Sequence, residues 1–179
     1  AIGRWENEGG ALLCPSIRAD FPGIGNWHYL DTGATAQKPQ VVLDAMMRAV
    51  SERPGHRMVA SLQFNLHDPS KLDGAGDNYL AYGYAWRGGF GHAASSAPPA
   101  GECFGPCGAA ALYPRDLFLE AGGFDERYFC YHEDVDIAFR LRLLGEKCQF
   151  APDARIRHAG SAVTGRTSRF SVFHGVRNG

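Results

Sequence analysis

The clearest hydrophobic pattern is a helical one in residues 40–52. Apolar side chains recur there every three or four residues and so share one face: Val42, Ala45, Met46, Ala49 and Val50. Such a stripe predicts an amphipathic helix packed against a core. Pro39 precedes the pattern and suits the first turn of a helix, because proline has no N–H to leave without a helical partner.

A second long helix is predicted to begin near Glu133 or Asp134 and to end at Gly145. The apolar face of this helix consists of Ile137, Leu141 and Leu144, widened by Ala138 and Phe139. A shorter helix is predicted within residues 114–124, where a pair of glycines stops it. The chain therefore carries helical patterns on both sides of its middle.

The remaining apolar runs are short enough for strands. The sequence predicts strands at residues 27–31, 58–64, 107–113, 148–152 and 154–158. Residues 65–107 are rich in Gly, Ala, Ser and Pro and lack a clear period, which predicts a long functional loop. Residues 1–26 and the basic segment 161–179 are also interpreted as loop, apart from a short helix near residues 16–20.

Length and charge narrow the class of protein. The chain has 179 residues, enough for one domain with a core, and a formal net charge of -1. That charge gives no electrostatic reason to expect nucleic acid or an anionic membrane as a partner. No apolar run approaches the roughly 20 residues of a membrane span, and the start lacks a secretory pattern. Five cysteines without a dense framework indicate reduced thiols in the cytoplasm.

Acidic residues cluster where the second long helix begins. Glu133 and Asp134 would be favoured there by the helix dipole and by capping, so the cluster alone does not establish catalysis. His158 follows the last predicted strand, where a structural histidine is the ordinary case. A zinc site is a further hypothesis, formed by Cys103, Cys107, Cys130 and His132. Its spacing is not one of the strong zinc patterns.

Two stretches taken together carry a specific resemblance. They are MVASLQFNLHDPSKLDGAGDNYLAYGYAWRGGFG and CGAAALYPRDLFLEAGGFDERYFCYHEDVDIAFRLRLLGEKCQFAPDARIRHAGS. In order and in content they resemble family 2 glycosyltransferases, particularly the rhamnosyltransferase-like variety. The resemblance implies an α/β fold, here an incomplete GT-A (Rossmann-like) mixed sheet flanked by helices. Residues 51–179 would form its catalytic and acceptor-binding half.

The resemblance also implies roles for the acidic cluster. Asp134 matches the family's general base, which takes the proton from an acceptor hydroxyl as that oxygen attacks the anomeric carbon with inversion. Glu133 would orient the acceptor or support the base. Asp136 points elsewhere on the helix and is expected to be structural.

Further substrate contacts are expected on both sides of the helix. Gly105, Pro106 and Cys107 match the place where the family's acceptor and donor pockets meet. Trp86 is a candidate to stack on a sugar face, although a core or loop-anchoring tryptophan is the more common case. Arg166 is a candidate contact for the donor diphosphate, and a solvated tail is an equal alternative for it.

A divalent cation, Mg or Mn, is implied because negative charge grows on the leaving diphosphate. His158 matches a position that joins the metal site in some members of the family. The family's Asp-x-Asp motif is not found, because Asp31 is followed by Thr32 and Gly33. Asp31 is therefore the only candidate for a second metal ligand.

Residues 17–49 resemble a different family, the pyridoxal-phosphate-dependent cysteine desulfurases of the sulfur-mobilising type. The stretch that carries this resemblance is IRADFPGIGNWHYLDTGATAQKPQVVLDAMMRA. Such enzymes need a Schiff-base lysine and a reactive cysteine far downstream, and Lys38 is not that lysine. Two explanations are open: a chimera joined between about residues 44 and 58, which we favour, or a divergent glycosyltransferase segment. Residues 1–50 are not expected to form an independent domain.

We therefore expect an inverting glycosyltransferase that uses a nucleotide-sugar donor and a glycan or lipid-linked acceptor, in polysaccharide biosynthesis. Inactivity as a truncated or chimeric chain stays open. So do two different functions, those of a cysteine desulfurase fragment and of a non-catalytic carbohydrate-binding remnant. The expected location is the cytoplasm, where the protein is either free or at the inner face of the membrane.

Overall fold

The computed structural model describes residues 39–160, 165 and 167–179. In these residues the helices are α1 (Gln40–Glu52), α2 (Arg115–Glu120), α3 (Glu133–Leu143) and α4 (Arg169–Asn178). The strands are β1 (Met58–Asn65), β2 (Leu72–Ala75), β3 (Asp77–Tyr79), β4 (Ala85–Arg87), β5 (Gly101–Cys103), β6 (Ala111–Leu112) and β7 (Cys148–His158). The predicted elements at residues 16–20 and 27–31 lie outside the described part, as do Cys14, Asp31 and Arg166.

The main sheet is mixed. Its strand order is β2-β1-β7-β5, and β6 pairs with the first part of β1 beside β2. Strands β1 and β7 run parallel, whereas β2, β5 and β6 are antiparallel to their partners. Strands β3 and β4 form a separate hairpin. This partly parallel sheet with flanking helices confirms the predicted α/β class and is consistent with a GT-A-like domain.

The core lies on both faces of the sheet because β1 alternates its side chains between them. On one face, α1 packs against β1 and β7 through Val42, Ala45 and Met46. On the other face, the buried side chains of α2 and α3 pack on Met58 and its neighbours. The amphipathic pattern of residues 40–52 thus predicted α1 correctly, with the bounds that the structure shows.

Two predicted strands are in fact one. The sequence predicted a break after residue 152, but β7 continues from Cys148 to His158. The register changes at that place, because Ser61 pairs with Ala151 while the next residue, Leu62, pairs with Arg155. Proline lacks the N–H that a ladder needs, so Pro152 explains the irregularity without ending the strand.

The loop predicted at residues 65–107 is wrong as a description of the fold. Four strands, β2 to β5, lie within it. Each has only three or four residues, too few to show an alternating pattern, and glycine interrupts them. The strand predicted at residues 107–113 is also mostly wrong, since Gly108–Ala110 form a short 3-10 helix before the two residues of β6.

The tail is not a loop throughout, because α4 occupies Arg169–Asn178. The side chain of Ser168 caps that helix by accepting a hydrogen bond from the Ser171 amide at 3.1 Å. The predicted bounds of α3 are confirmed, with Gly145 just beyond its end at φ 90°. Its predicted apolar face was too wide, because Leu144 follows the last helical residue and is 54% exposed. None of the helices in the described ranges is long and apolar enough to cross a membrane.

Candidate active site

The start of α3 is held by an unusual backbone segment. Phe129, Tyr131 and His132 have φ values of 61°, 64° and 67°. Residues other than glycine rarely adopt such values, and a cluster of them is typical of functional sites. His132 is the residue directly before the helix. The chain therefore turns sharply there and places Glu133 and Asp134 in the first turn of α3.

These two acids line a cleft with a volume of about 890 Å³. The lining residues come from β2, the β3–β4 hairpin, residues 107–109 and the start of α3. Both the cleft and its acidic wall are therefore accessible to a ligand of sugar size. Glu133 and Asp134 thus share a cleft, and their catalytic roles stay a prediction.

The Asp134 carboxylate is held by two backbone amides. Its Oδ2 accepts a hydrogen bond from the Gly108 N–H at 2.8 Å, and its Oδ1 accepts one from the Val135 N–H at 2.9 Å. In the described part of the chain no lysine or arginine forms an ion pair with it. The carboxylate is thus oriented without being neutralised by a basic residue. Asp136, in contrast, accepts a hydrogen bond from Arg140 Nε at 2.9 Å, which fits the structural role expected for it.

Glu133 differs from its neighbour in having an unfilled oxygen. Its Oε2 is buried, and none of the described groups donates a hydrogen bond to it. Burial, followed by repulsion from Asp134, raises the pKa of Glu133 above its ordinary value. A buried carboxyl oxygen without a partner is costly, which sets Glu133 apart from the satisfied Asp134.

Opposite α3, a buried acid joins two basic side chains. Asp73 is 1% exposed, and its Oδ2 lies 2.9 Å from Arg87 Nη1 and 2.7 Å from His158 Nδ1. Arg87 and His158 also line the cleft. Asp73 therefore fixes the orientation of both side chains, a role that the sequence analysis did not detect.

A second acid that the sequence analysis did not detect also lines the cleft. Asp77 is 6% exposed, opens β3 and lines the cleft. Burial, followed by repulsion from Asp134, raises its pKa to about 7, and the charge of Arg87 opposes that rise. The only sequence signal for Asp73 and Asp77 was two acids spaced four residues apart among small residues, in a segment interpreted as loop.

Of the three substrate contacts predicted at residues 105–107, only the last lines the cleft. A Cβ on Gly105 would lie 2.5 Å from the Ala138 Cβ, so this glycine allows close packing against α3. Pro106 is fully buried. Neither residue lines the cleft, and both support its wall instead. Cys107 does line it, but burial raises the pKa of its thiol to about 12, which disfavours a nucleophilic thiolate.

Trp86 lies at the cleft with 41% of its surface exposed. Its ring stacks on Tyr84, with 5.9 Å between ring centroids. One aromatic partner holds the indole, while the exposed part is available to a sugar. The structure thus places Trp86 at the rim of the site and not in the core.

The described residues do not form a metal centre by themselves. They contain no group of three or more His, Cys, Asp or Glu that could hold a metal ion. The zinc hypothesis for Cys103, Cys107, Cys130 and His132 therefore has no support in this part of the chain. His158 Nδ1 faces Asp73, which leaves its other ring nitrogen as the atom that would bind a cation. His158 alone is too few ligands to hold a cation in the described part of the chain.

Two comparisons with known proteins bear on the family of the chain. The profile of the glycosyltransferase-like family 2 matches residues 39–177. Over 59 residues the chain is 44% identical to the N-acetylglucosaminyl-diphospho-decaprenol L-rhamnosyltransferases of two Mycobacterium tuberculosis strains, CDC 1551 / Oshkosh and ATCC 25618 / H37Rv. The aligned part is 33% of this chain and 19% of each relative, so the chain spans about a fifth of the length of the curated relatives it matches.

Proposed function

The chain belongs to the glycosyltransferase-like family 2, and we propose that it transfers a sugar from a nucleotide-sugar donor to an acceptor hydroxyl with inversion. The observation that carries the proposal is the position of Asp134. Its carboxylate lines a cleft of about 890 Å³, is oriented by two amides, and has no basic partner in the described residues. These are the properties required of a general base.

In the proposed step, Asp134 accepts the proton of the attacking hydroxyl group. The hydroxyl oxygen forms a bond to the anomeric carbon while the bond from that carbon to the diphosphate oxygen breaks. The electron pair of the broken bond leaves with the nucleoside diphosphate. Because the oxygen attacks opposite the leaving group in one displacement, the configuration at the anomeric carbon inverts. The amides of Gly108 and Val135 keep the base in place throughout.

Glu133 has the supporting role in this proposal. The buried Oε2 without a described donor suits a second hydroxyl of the acceptor. That contact would turn the attacking hydroxyl toward Asp134. The pKa of Glu133 is raised, first by burial, so its carboxyl is protonated more readily than an exposed one. A protonated carboxyl can both donate and accept a hydrogen bond.

A divalent cation, Mg or Mn, is proposed on the family relationship, with His158 and Asp31 as ligands. It would supply positive charge to the leaving diphosphate. Asp31 and the proposed diphosphate contact Arg166 both lie outside the described residues, so both stay predictions. Asp73 supports the assignment of His158, since a carboxylate on one ring nitrogen is the usual partner of a metal-binding histidine.

The substrate class is proposed from the relatives. Their name describes an L-rhamnosyltransferase that acts on an N-acetylglucosaminyl-diphospho-decaprenol. We propose nucleotide-activated L-rhamnose as the donor and a diphospholipid-linked sugar as the acceptor, at the inner face of the membrane. Trp86 then stacks on the acceptor sugar at the rim of the cleft.

The test is a transfer assay with defined substrates. The protein is incubated with manganese, dTDP- or UDP-activated sugars including L-rhamnose, and N-acetylglucosaminyl diphosphate carrying a short prenyl chain. We expect a disaccharide lipid from the rhamnose donor, and NMR of its anomeric proton shows an inverted configuration. A product of retained configuration would contradict the mechanism, and absence of product with every donor would contradict the activity.

The desulfurase interpretation of residues 17–49 stays a prediction, and so does the division of the chain at residue 50. The family match begins at residue 39, and α1 packs on β1 and β7, which favours a glycosyltransferase origin for the later part of that segment. Addition of pyridoxal phosphate tests the interpretation. We expect no absorbance band of a Schiff base, and the appearance of that band would support a desulfurase.

A further inference from the structure

The acids of the cleft differ in how their oxygens are satisfied. Asp73 binds Arg87 and His158, and Asp134 binds two backbone amides. Asp77 is 6% exposed and lines the cleft, and within the described residues its carboxyl has no hydrogen bond or ion pair, although its oxygens are not among the fully buried atoms without a partner. A carboxyl in this state costs free energy unless something else supplies the donor.

The position of Asp77 is fixed by its backbone. Its N–H donates to the Gly105 carbonyl at 2.8 Å, and its own carbonyl accepts from the Phe104 N–H at 3.0 Å. Arg87 lies directly opposite in the β3–β4 hairpin, but its guanidinium turns to Asp73. The charge of Arg87 still attracts the Asp77 carboxyl, but its hydrogen bond goes to Asp73, so the Asp77 carboxyl stays without a hydrogen-bond donor at the cleft.

The missing partner has a definable chemistry. Asp134 lies close enough to repel the charge of Asp77, so a second anion is disfavoured there. No group of three metal-binding side chains among the described residues includes Asp77, so this carboxyl does not belong to a ready-made cation site there. A neutral hydroxyl remains, because it can donate to a carboxylate and accept from a protonated carboxyl.

We propose that Asp77 is a second acceptor-binding residue, which hydrogen-bonds one hydroxyl group of the acceptor sugar while Asp134 receives the proton of another. This inference rests on the proposed function and adds a residue to its site. The β3–β4 hairpin then holds the acceptor from the side opposite Glu133. Trp86, on the neighbouring strand, covers the face of the same sugar.

The ionisation of Asp77 agrees with this role. With a pKa of about 7, raised first by burial and then by Asp134, the carboxyl is often protonated at neutral pH. A protonated Asp77 avoids two adjacent negative charges in the empty cleft. It also has both a donor and an acceptor to offer to the sugar hydroxyl.

Calorimetry of acceptor binding without a donor sugar tests the inference, because no turnover takes place. The probe is N-acetylglucosaminyl diphosphate carrying a short prenyl chain. The variants are Asp77→Ala and Asp77→Ser, neither of which can reach the hydroxyl, and Asp153→Ala as the control at an exposed position. Loss of a hydrogen bond to a buried group should weaken the Kd about tenfold. The Asp153 variant should bind as the unmodified protein does.

Thermal melting separates binding from folding. We expect the Asp77 variants to melt no lower than the unmodified protein, because removing an unsatisfied buried carboxyl does not remove a native contact. A weakened Kd in a variant with an unchanged melting temperature supports the inference. A Kd within twofold of the unmodified protein in either folded variant overturns it.

The same samples distinguish this inference from the proposed function. If transfer occurs but binding does not depend on Asp77, only the inference is overturned. If binding depends on Asp77 but no sugar is transferred, the proposed activity fails and the acceptor contact stands. If the probe does not bind to the unmodified protein at all, the inference is overturned.

Discussion

The two ends of helix α3 differ in what their side chains do. At the end, Arg142 Nε donates to the Phe104 carbonyl at 2.7 Å, and Arg140 binds Asp136 and backbone carbonyls before the helix. At the start, the backbone of His132 is left-handed and Glu133 keeps a buried oxygen without a described donor. The arginines at the end are satisfied within the chain, whereas at the start one oxygen of Glu133 has no described partner.

This difference shows how the site is held in a working geometry. Ile137 and Leu141 are completely buried against the sheet, so the middle of α3 is fixed by packing. Arg142 fixes its last turn through the carbonyls of Cys103 and Phe104, next to Gly105. The first turn can then present strained and unsatisfied groups without unfolding the helix. Substitutions at the two ends should therefore have different consequences.

The largest effect on stability is expected in the packed part of α3. Ile137→Ala removes a fully buried side chain, and we expect it to lower the free energy of unfolding by about 2–5 kcal/mol. The matched change near the start, Val135→Ala, affects a partly buried residue and should cost less than about half as much. Urea denaturation measures both. Equal losses in the two variants would contradict the claim that packing holds the middle of α3 more firmly than its start.

The next effect concerns the arginine at the end of α3. Arg142→Met keeps the apolar stem but leaves the carbonyls of Cys103 and Phe104 without this donor, and it also loses the stacking on the Phe104 ring. We expect a loss of about 1–3 kcal/mol. The exposed Arg115→Met is the control, with an expected change below about 0.5 kcal/mol. Similar losses in both variants would show that the contacts of Arg142 add nothing.

A gain in stability is expected on the cleft side, with a definite pH dependence. The pKa of Asp77 is about 7 in the folded protein, raised by burial and by Asp134, and near 3.9 in the unfolded chain. Between these values the folded state holds a proton that the unfolded state has lost. The contribution of Asp77 to the free energy of unfolding is therefore highest below the unfolded pKa. It falls as the pH rises toward 7 and is constant above the folded pKa.

Asp77→Asn removes this loss because the amide does not ionise. We expect the variant to exceed the unmodified protein at pH 8 by up to about 4 kcal/mol, the equivalent of about three pKa units, and to match it near pH 4. Urea titrations at the two pH values measure the difference. A gain of the same size at both would show that ionisation of Asp77 is not its cause.

The smallest effect concerns the strained backbone before α3. His132→Gly should raise the free energy of unfolding by about 1 kcal/mol, because glycine adopts the observed φ of 67° without steric cost. His132→Ala keeps the strain and removes only the side chain, so it should give no gain. If alanine stabilises as much as glycine, the left-handed conformation is not the source of the cost.

The sequence predicted α1 and α3 well, because each is long enough to repeat its apolar stripe several times. It missed β2 to β5, whose three or four residues are too few to show an alternating pattern and form strands through their pairing with other strands. The same limit applies to the site. The family resemblance indicated Glu133 and Asp134, whereas Asp73 and Asp77 matter only because the fold buries them opposite α3.

The central claim is that the Asp134 carboxylate takes the proton of the acceptor hydroxyl. The most direct test compares the initial rate of sugar transfer of Asp134→Asn with that of the exposed Asp153→Asn. Asparagine can still accept the hydrogen bond of the Gly108 amide, so the variant should fold normally. We predict a rate at least about 100-fold lower for Asp134→Asn and an unchanged rate for Asp153→Asn. A rate for Asp134→Asn within about threefold of the unmodified protein would contradict the account.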